Sequence, residues 1–308
     1  MTQEQVNVAQ EAVVDNTEET ALPPMGFEII KREFLKDKIA LLALIILVVI
    51  LLAAFLSPLF FDLKEVTTVS IFDRYAAPGE DGYFLGADEG GRDVFALLFL
   101  GARNTLTISF AVTIITQIIG ITLGIIAGYY GGIIDDIMMR IVDFIMVLPT
   151  LLIIIVIVTI IGELNMWTFV WIISLFGWAS ITRLFRTATL SEGSKDYVSA
   201  SKTMGTPDWK IMFGGVMPNL SSLIITNLTL SFAGNIGLET GLTFLGFGLP
   251  SGTPSLGTLI AYANNPDVIE NKTWVWVPAV IVILVLMLCI NYIGQAMQRA
   301  ADSKQRLG

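Results

Sequence analysis

Gln117, Asn227, Asn235 and Asn291 stand inside long apolar runs of this chain, and neutral amides there do one kind of chemistry. They donate and accept hydrogen bonds without carrying charge. Such amides either bond across helix interfaces, where a partner is worth about 0.6–2 kcal/mol, or line a path for a polar solute. Asn227 and Asn235 lie eight apart on one side of the same run, which makes them the pair to test as a path. Glu239 follows directly, beside a glycine- and proline-rich stretch up to Gly257. Broken backbone of that kind fits a gate at an outer mouth or an interfacial loop. Other chemistries are excluded. The chain holds no histidine, the usual general base, and hence no triad built on one. It lacks the G-x-x-x-x-G-K-[ST] phosphate loop, so it is not expected to bind and hydrolyse ATP. No carboxylate falls within the apolar runs to serve a proton relay or an ion-coupled site. Cys289, the single cysteine, permits no disulfide within the chain.

The elements that position these groups are membrane spans. With 54% hydrophobic and 15% charged residues over 308 positions, the chain is too apolar for an ordinary soluble domain. Six charge-free runs reach or approach the ~20 residues that cross a bilayer. They are Ile39–Phe61, Asn104–Ile134, Phe144–Gly162, Leu164–Thr182, Ile211–Leu238 and Thr273–Gln298. Gly128-Tyr129-Tyr130-Gly131-Gly132 reads as a helix end, and Gly162-Glu163-Leu164-Asn165 as a tight turn. Six transmembrane helices in an all-α integral membrane protein is therefore the expectation; five is the alternative if the third and fourth runs are one segment. Lys and Arg fix the orientation: 13 fall on the side of the N-terminus and 5 on the other, so both termini are expected inside. The acidic residues 1–30 are expected to be a disordered cytoplasmic tail, followed by a first span over 31–61. An extracytoplasmic loop over 62–103, a core of five spans over 104–298 and a cytoplasmic tail over 299–308 complete the organisation. No basic run suggests a nucleic-acid partner.

A polar island, Arg183–Lys210, interrupts the apolar pattern on the inner side. Ser194 as an N-cap, Asp196 in the first turn and Gly205 past the last turn predict a short helix near 194–205. Tyr197, Ala200, Ser201 and Met204 recur at helical spacing and form one mostly apolar face. Thr206 then caps a second helix with Pro207 in its first position. A simple connection between spans needs no helix–glycine–helix build; a surface that docks a partner does. Bland readings stand beside these: Gly205 as a helix stop, Pro218 as the start of the fifth span, Tyr197 and Met204 as packing against the chain's own helices.

These residues carry a family resemblance. Tyr197-Val198-Ser199-Ala200-Ser201-Lys202-Thr203-Met204-Gly205 with Met217-Pro218-Asn219 resembles the EAA signature of ABC importer permeases. Three more stretches resemble the second permease subunit of dipeptide/oligopeptide importers. They are Phe84–Asp93, Gly101–Leu106, and Glu239–Gly248 with Pro254-Ser255-Leu256-Gly257. The match runs from about Lys31 to Arg299, in the family's order. It departs at Ser199 and Ser201, where the signature has glutamate and alanine, at Met217 for leucine, and at Leu256 for tryptophan.

The resemblance implies a type I ABC importer permease fold whose island is a cytoplasmic coupling helix, with Tyr197, Ala200, Ser201, Met204, Gly205, Pro207 and Pro218 coupling to an ATPase. With Ser199 in place of glutamate, docking is expected to rest on shape and apolar burial. Implied partners are a homologous second permease, two ATP-binding cytoplasmic subunits that hold the ATP and Mg, an extracytoplasmic binding protein, and the lipid of a prokaryotic cell membrane. The implied substrate is a di- or oligopeptide; nickel or another small solute in the same branch is the alternative. A non-transport membrane protein that docks through the island is the rival from another class. Asp88, Arg92 and Asp93 are expected to frame the second helix through salt bridges, or to touch the binding protein.

Overall fold

The first helix needs little beyond hydropathy and a cap. Asp37 accepts the backbone N–H groups of Ile39 and Ala40 at 3.1 Å and so starts α1 (Lys38–Leu56), which a 3-10 turn at Ser57–Leu59 prolongs. The structure, a computed structural model, describes residues 35–62, 66–80, 82–162, 164–250 and 252–307. The acidic segment 1–30 expected to be disordered lies outside them.

α2 (Val94–Tyr130) begins earlier than its charge-free run, so the loop expected over 62–103 ends at Asp93 and not at Arg103. Asp93 caps it by accepting the Phe95 N–H at 2.9 Å, and Gly131 at φ 62° ends it. Its 37 residues span about 55 Å at 1.5 Å per residue, well beyond a hydrocarbon core of about 30 Å. Arg103 therefore does not bar the helix.

The third span differs most from expectation. Phe144–Gly162 is not one helix: α3 (Gly132–Val147) and α4 (Thr150–Ile161) meet at 76°. Pro149 supplies no N–H and drives Leu148 to extended backbone (ψ 138°), which ends α3. Among the described residues five helices are long and apolar enough to cross a membrane, six with this bent pair counted as one span. Gly162 at φ 76° and the Asn165 cap, which accepts the Thr168 N–H at 2.8 Å, separate α4 from α5 (Met166–Gly193). The third and fourth runs are thus distinct, with Glu163 between them outside the described residues.

The island forms α6 (Asp196–Thr203) and α7 (Asp208–Ile211). Ser194 is not the N-cap expected of it: it closes α5 and its hydroxyl donates to the Ser191 carbonyl at 2.8 Å. Lys195 takes the N-cap place without a side-chain bond. The second start is also shifted by one, with Pro207 at the N-cap and Asp208 first in the helix. A π turn at Met212–Val216 and a helical turn at Met217–Asn219 lead into α8 (Ser221–Phe244), which breaks the Ile211–Leu238 run. Pro218 has no N–H to give the carbonyl four residues back, and a widened turn absorbs the lost bond.

Two short helices, α9 (Leu256–Ala261) and α10 (Pro266–Asn271), precede α11 (Thr273–Leu307). α11 continues through the expected tail, whose Ala, Lys, Gln and Arg residues favour helix. No strand occurs among the described residues; the fold is all-α.

Packing centres on α2. Gly120, Gly124 and Gly128 form a small-residue stripe that brings its backbone against α5. A Cβ at Gly124 would stand 2.7 Å from the Thr182 carbonyl oxygen. The Asp37–Arg299 ion pair (2.8 Å) joins the start of α1 to α11. Gln298 shares a cleft of about 350 Å³ with Glu192, Lys195 and Asn219, so these ends of α1 and α11 lie at the island's end of the molecule.

Candidate functional site

The island is built to be stiff. Gly205 takes φ 75°, the left-handed conformation expected of it. The Gly205 N–H reaches the Lys202 carbonyl at 3.0 Å and the Thr206 N–H the Ser201 carbonyl at 3.1 Å, the paired bonds of a Schellman stop. Beneath α6, Val198 is 1% exposed and packs with Phe185, Ile211, Val216 and Leu220. Tyr197 lies on that inner side as well. Its hydroxyl donates to Glu192 Oε1 (3.1 Å) and accepts from Asn219 Nδ2 (3.2 Å), which ties α6 to the end of α5 and to the Met217–Asn219 turn before α8. Burial raises the Tyr197 pKa, the Asn219 bond opposes this, and the Glu192 carboxylate adds to it. Ser201 is half-buried and its hydroxyl donates to the Tyr197 carbonyl at 2.8 Å.

The apolar face read as one is therefore divided. Tyr197 and Ser201 turn toward the chain, whereas Ala200 and Met204 are exposed, Met204 by 76%. Helical spacing alone placed the four residues together; the direction of the packing face decides which of them a partner meets. Trp209, 65% exposed on α7, joins the outward set. Sequence reading passed over it, although a tryptophan in a polar inner segment was the available signal. Pro207 and Pro218 are both exposed, at the two bends of the backbone.

At membrane depth the amides face one another across α2 and α8. Gln117 Nε2 donates to Asn227 Oδ1 at 2.6 Å and to Ser231 Oγ at 3.1 Å, and Asn235 Nδ2 donates to Thr113 Oγ1 at 2.9 Å. Asn291 instead donates to the Met287 carbonyl of its own helix. Glu239 continues the ladder one step further. It lies inside α8 and is fully buried, because the helix outruns the charge-free run that ends at Leu238. A carboxylate does stand in a spanning helix, contrary to the absence read from the runs. It accepts from Thr105 Oγ1 (2.9 Å) and Thr243 Oγ1 (3.1 Å). The Leu256 N–H donates to the same Thr105 hydroxyl at 3.1 Å, and Asn104 Nδ2 to the Pro254 carbonyl at 2.7 Å. The glycine-rich stretch is thereby folded back onto α2, and Thr243 opens on a cavity of about 660 Å³ that reaches Tyr262.

At the far end of α2, Asp88 is fully buried and takes five hydrogen bonds. The backbone N–H groups of Gly90 (2.8 Å) and Arg92 (3.0 Å) meet Oδ1, while Arg92 Nε (2.9 Å), Arg92 Nη2 (2.7 Å) and the Tyr262 hydroxyl (3.0 Å) meet Oδ2. Burial works against the charged Arg92, but the bond and charge of Asp88 outweigh it and hold its pKa above the ordinary value. Asp93 is outside this ion pair and serves as the α2 cap; burial raises its pKa against the lowering effect of the backbone bonds it accepts. The expected frame for the second helix is present, with a tyrosine in place of the second acid.

Residues 120–307 match the model of the binding-protein-dependent transport system inner membrane component, and residues 27–78 match that of the N-terminal TM domain of oligopeptide transport permease C. The chain belongs to this transport family. It is 52% identical to the oligopeptide transport system permease protein OppC of Lactococcus lactis subsp. lactis, over 90% of this chain and 94% of that one. It is 33% identical to the dipeptide transport system permease protein DppC of Bacillus subtilis, over 89% and 85%. An inward-facing MetNI methionine ABC transporter has a similar fold, with a TM-score of 0.53 at 18% identity over 67% of this chain and 96% of that chain. Members of the family are multi-pass membrane proteins, and the five or six apolar spans agree. Among the described residues no group of three His, Cys, Asp or Glu is placed to hold a metal ion.

Proposed function

We propose that this chain is the membrane-spanning permease subunit of an ATP-driven importer, translocating di- or oligopeptides delivered by an extracytoplasmic binding protein. The peptide class rests on the relatives, which are oligopeptide and dipeptide permeases by name. The island faces the cytoplasm with both termini, in keeping with the excess of Lys and Arg on that side. It docks an ATPase pair that holds ATP and Mg, while a homologous second permease completes the path. This chain carries no cofactor of its own.

One observation carries the coupling reading. A stiff helix–glycine–helix, fastened beneath by Val198 and Tyr197, turns Ala200, Met204 and Trp209 outward. Exposed apolar residues on a rigid mount suit a cleft in a protein partner. Asn227 and Asn235 are assigned to the α2–α8 interface, and Glu239 to holding the outer loop on α2, where it closes the outer mouth. Ala200→Glu tests the docking face: ATPase subunits should be lost from the complex purified in detergent, with membrane insertion intact. Unchanged ATPase stoichiometry would reject that face. Cysteine placed at Met204 should react with a membrane-impermeant maleimide only when the inner face is open to it; labelling of intact cells would reverse the orientation.

A further inference from the structure

One side chain touches both arms of the island. Tyr129 is the last residue but one of α2, and its hydroxyl donates to Asp208 Oδ1 at 2.7 Å. Lys202 Nζ lies 4.3 Å from the centre of the same ring. Lys202 belongs to α6 and Asp208 to α7, on either side of the left-handed bend at Gly205. The two arms are thus held to a single point, and that point is the tip of the longest helix among the described residues.

What α2 does beyond that point gives the contact its meaning. Gly128, next to Tyr129, is pressed against Thr189 and the Arg186 carbonyl of α5, so the tip cannot yield locally. Further along, α2 carries Gln117 and Thr113 against α8, then Thr105 against Glu239 and the returning outer loop, and it ends at the Asp93 cap. The other hydrogen-bonded tie of α6, through Tyr197, runs to α5 and to the Met217–Asn219 turn before α8. We infer that Tyr129 is a positioning residue that passes displacement of the island to α2, and through it to the outer loop. This rests on the island being the coupling element. A stiff helix moves as a body when its end is moved, so the contact needs no flexible relay between the two faces of the membrane.

The test uses the whole transporter, reconstituted with its second permease, ATPases and binding protein, and reads peptide taken up from a tryptic casein digest per ATP hydrolysed. Tyr129→Phe keeps the ring over Lys202 and removes the hydroxyl; Asp208→Ala removes the acceptor; Asp208→Asn keeps an acceptor oxygen. Tyr129→Phe and Asp208→Ala should each lower uptake per ATP on the order of 3- to 10-fold, the scale of one hydrogen bond. The double variant should be no worse than either single one, and Asp208→Asn should stay near the unaltered protein. Unchanged uptake per ATP in both single variants overturns the proposal, as do losses that multiply in the double variant. Loss of the ATPases from the Tyr129→Phe complex would make the residue part of the docking surface and would also overturn it. Ala200→Glu, run alongside, separates the two readings: if it too leaves the ATPases bound, the coupling role of the island fails, not the Tyr129 contact alone.

Discussion

The two ends of α2 use similar residues to opposite purposes. At the outer end an aspartate, an arginine, a tyrosine and left-handed glycines form a closed knot in which Asp88 is fully buried and every one of its contacts is short. At the inner end an aspartate, a lysine, two tyrosines and a left-handed glycine form an open clasp, with Met204 and Trp209 left in solvent. Burial makes the difference. A buried charge must be paired whatever the function, so the outer knot fixes where α2 begins. Exposed contacts are individually weak, so the inner clasp can shift without unfolding the chain, provided its bend is rigid.

The contrast predicts that outer substitutions cost stability and inner ones cost coupling. Arg92→Ala leaves the Asp88 carboxylate buried without its cation, and should destabilise the folded protein by about 3–5 kcal/mol. Thermal aggregation in detergent checks this, and an unchanged midpoint would break the comparison at its stronger side. Gly205→Val forces a β-branched residue into left-handed backbone, with a local cost of about 1–3 kcal/mol. Uptake should be abolished while the inserted protein remains; peptide-dependent growth at the normal rate would show that the bend is only a helix stop. Asn235→Ala lies between the two ends and removes one interhelical bond, so about 0.6 kcal/mol is expected. Uptake near normal would assign Asn235 to the interface, and a changed peptide preference would assign it to the path. Trp209→Ala should change stability by less than about 0.5 kcal/mol while weakening retention of the ATPases. Equal retention would confine docking to α6.

Much of this was legible in order along the chain. The glycine at 205, the helix end at Gly131 and the Phe84–Asp93 frame could be read because each depends on a few neighbouring residues. The break at Leu148-Pro149 is equally local, yet charge does not mark it, since proline is uncharged and leaves the run unbroken. The stripe Gly120, Gly124 and Gly128 has no place in the sequence reading, although glycines four apart were the available signal; their partner on α5 leaves no local trace. The sequence marks Glu239 but not its burial, because the run of apolar residues stops one position before it while the helix does not.

By itself the sequence determined the class of protein, the number of apolar runs, and the place where the polar island bends. These follow from hydropathy, charge and backbone preference, which act over a turn or two of chain. Only the tertiary structure decided which face of α6 is presented, that the amides of α2 and α8 pair, and that Tyr129 meets both arms of the island. Those contacts join residues as many as 122 positions apart, and no local pattern records which way a helix is turned when its neighbours close around it.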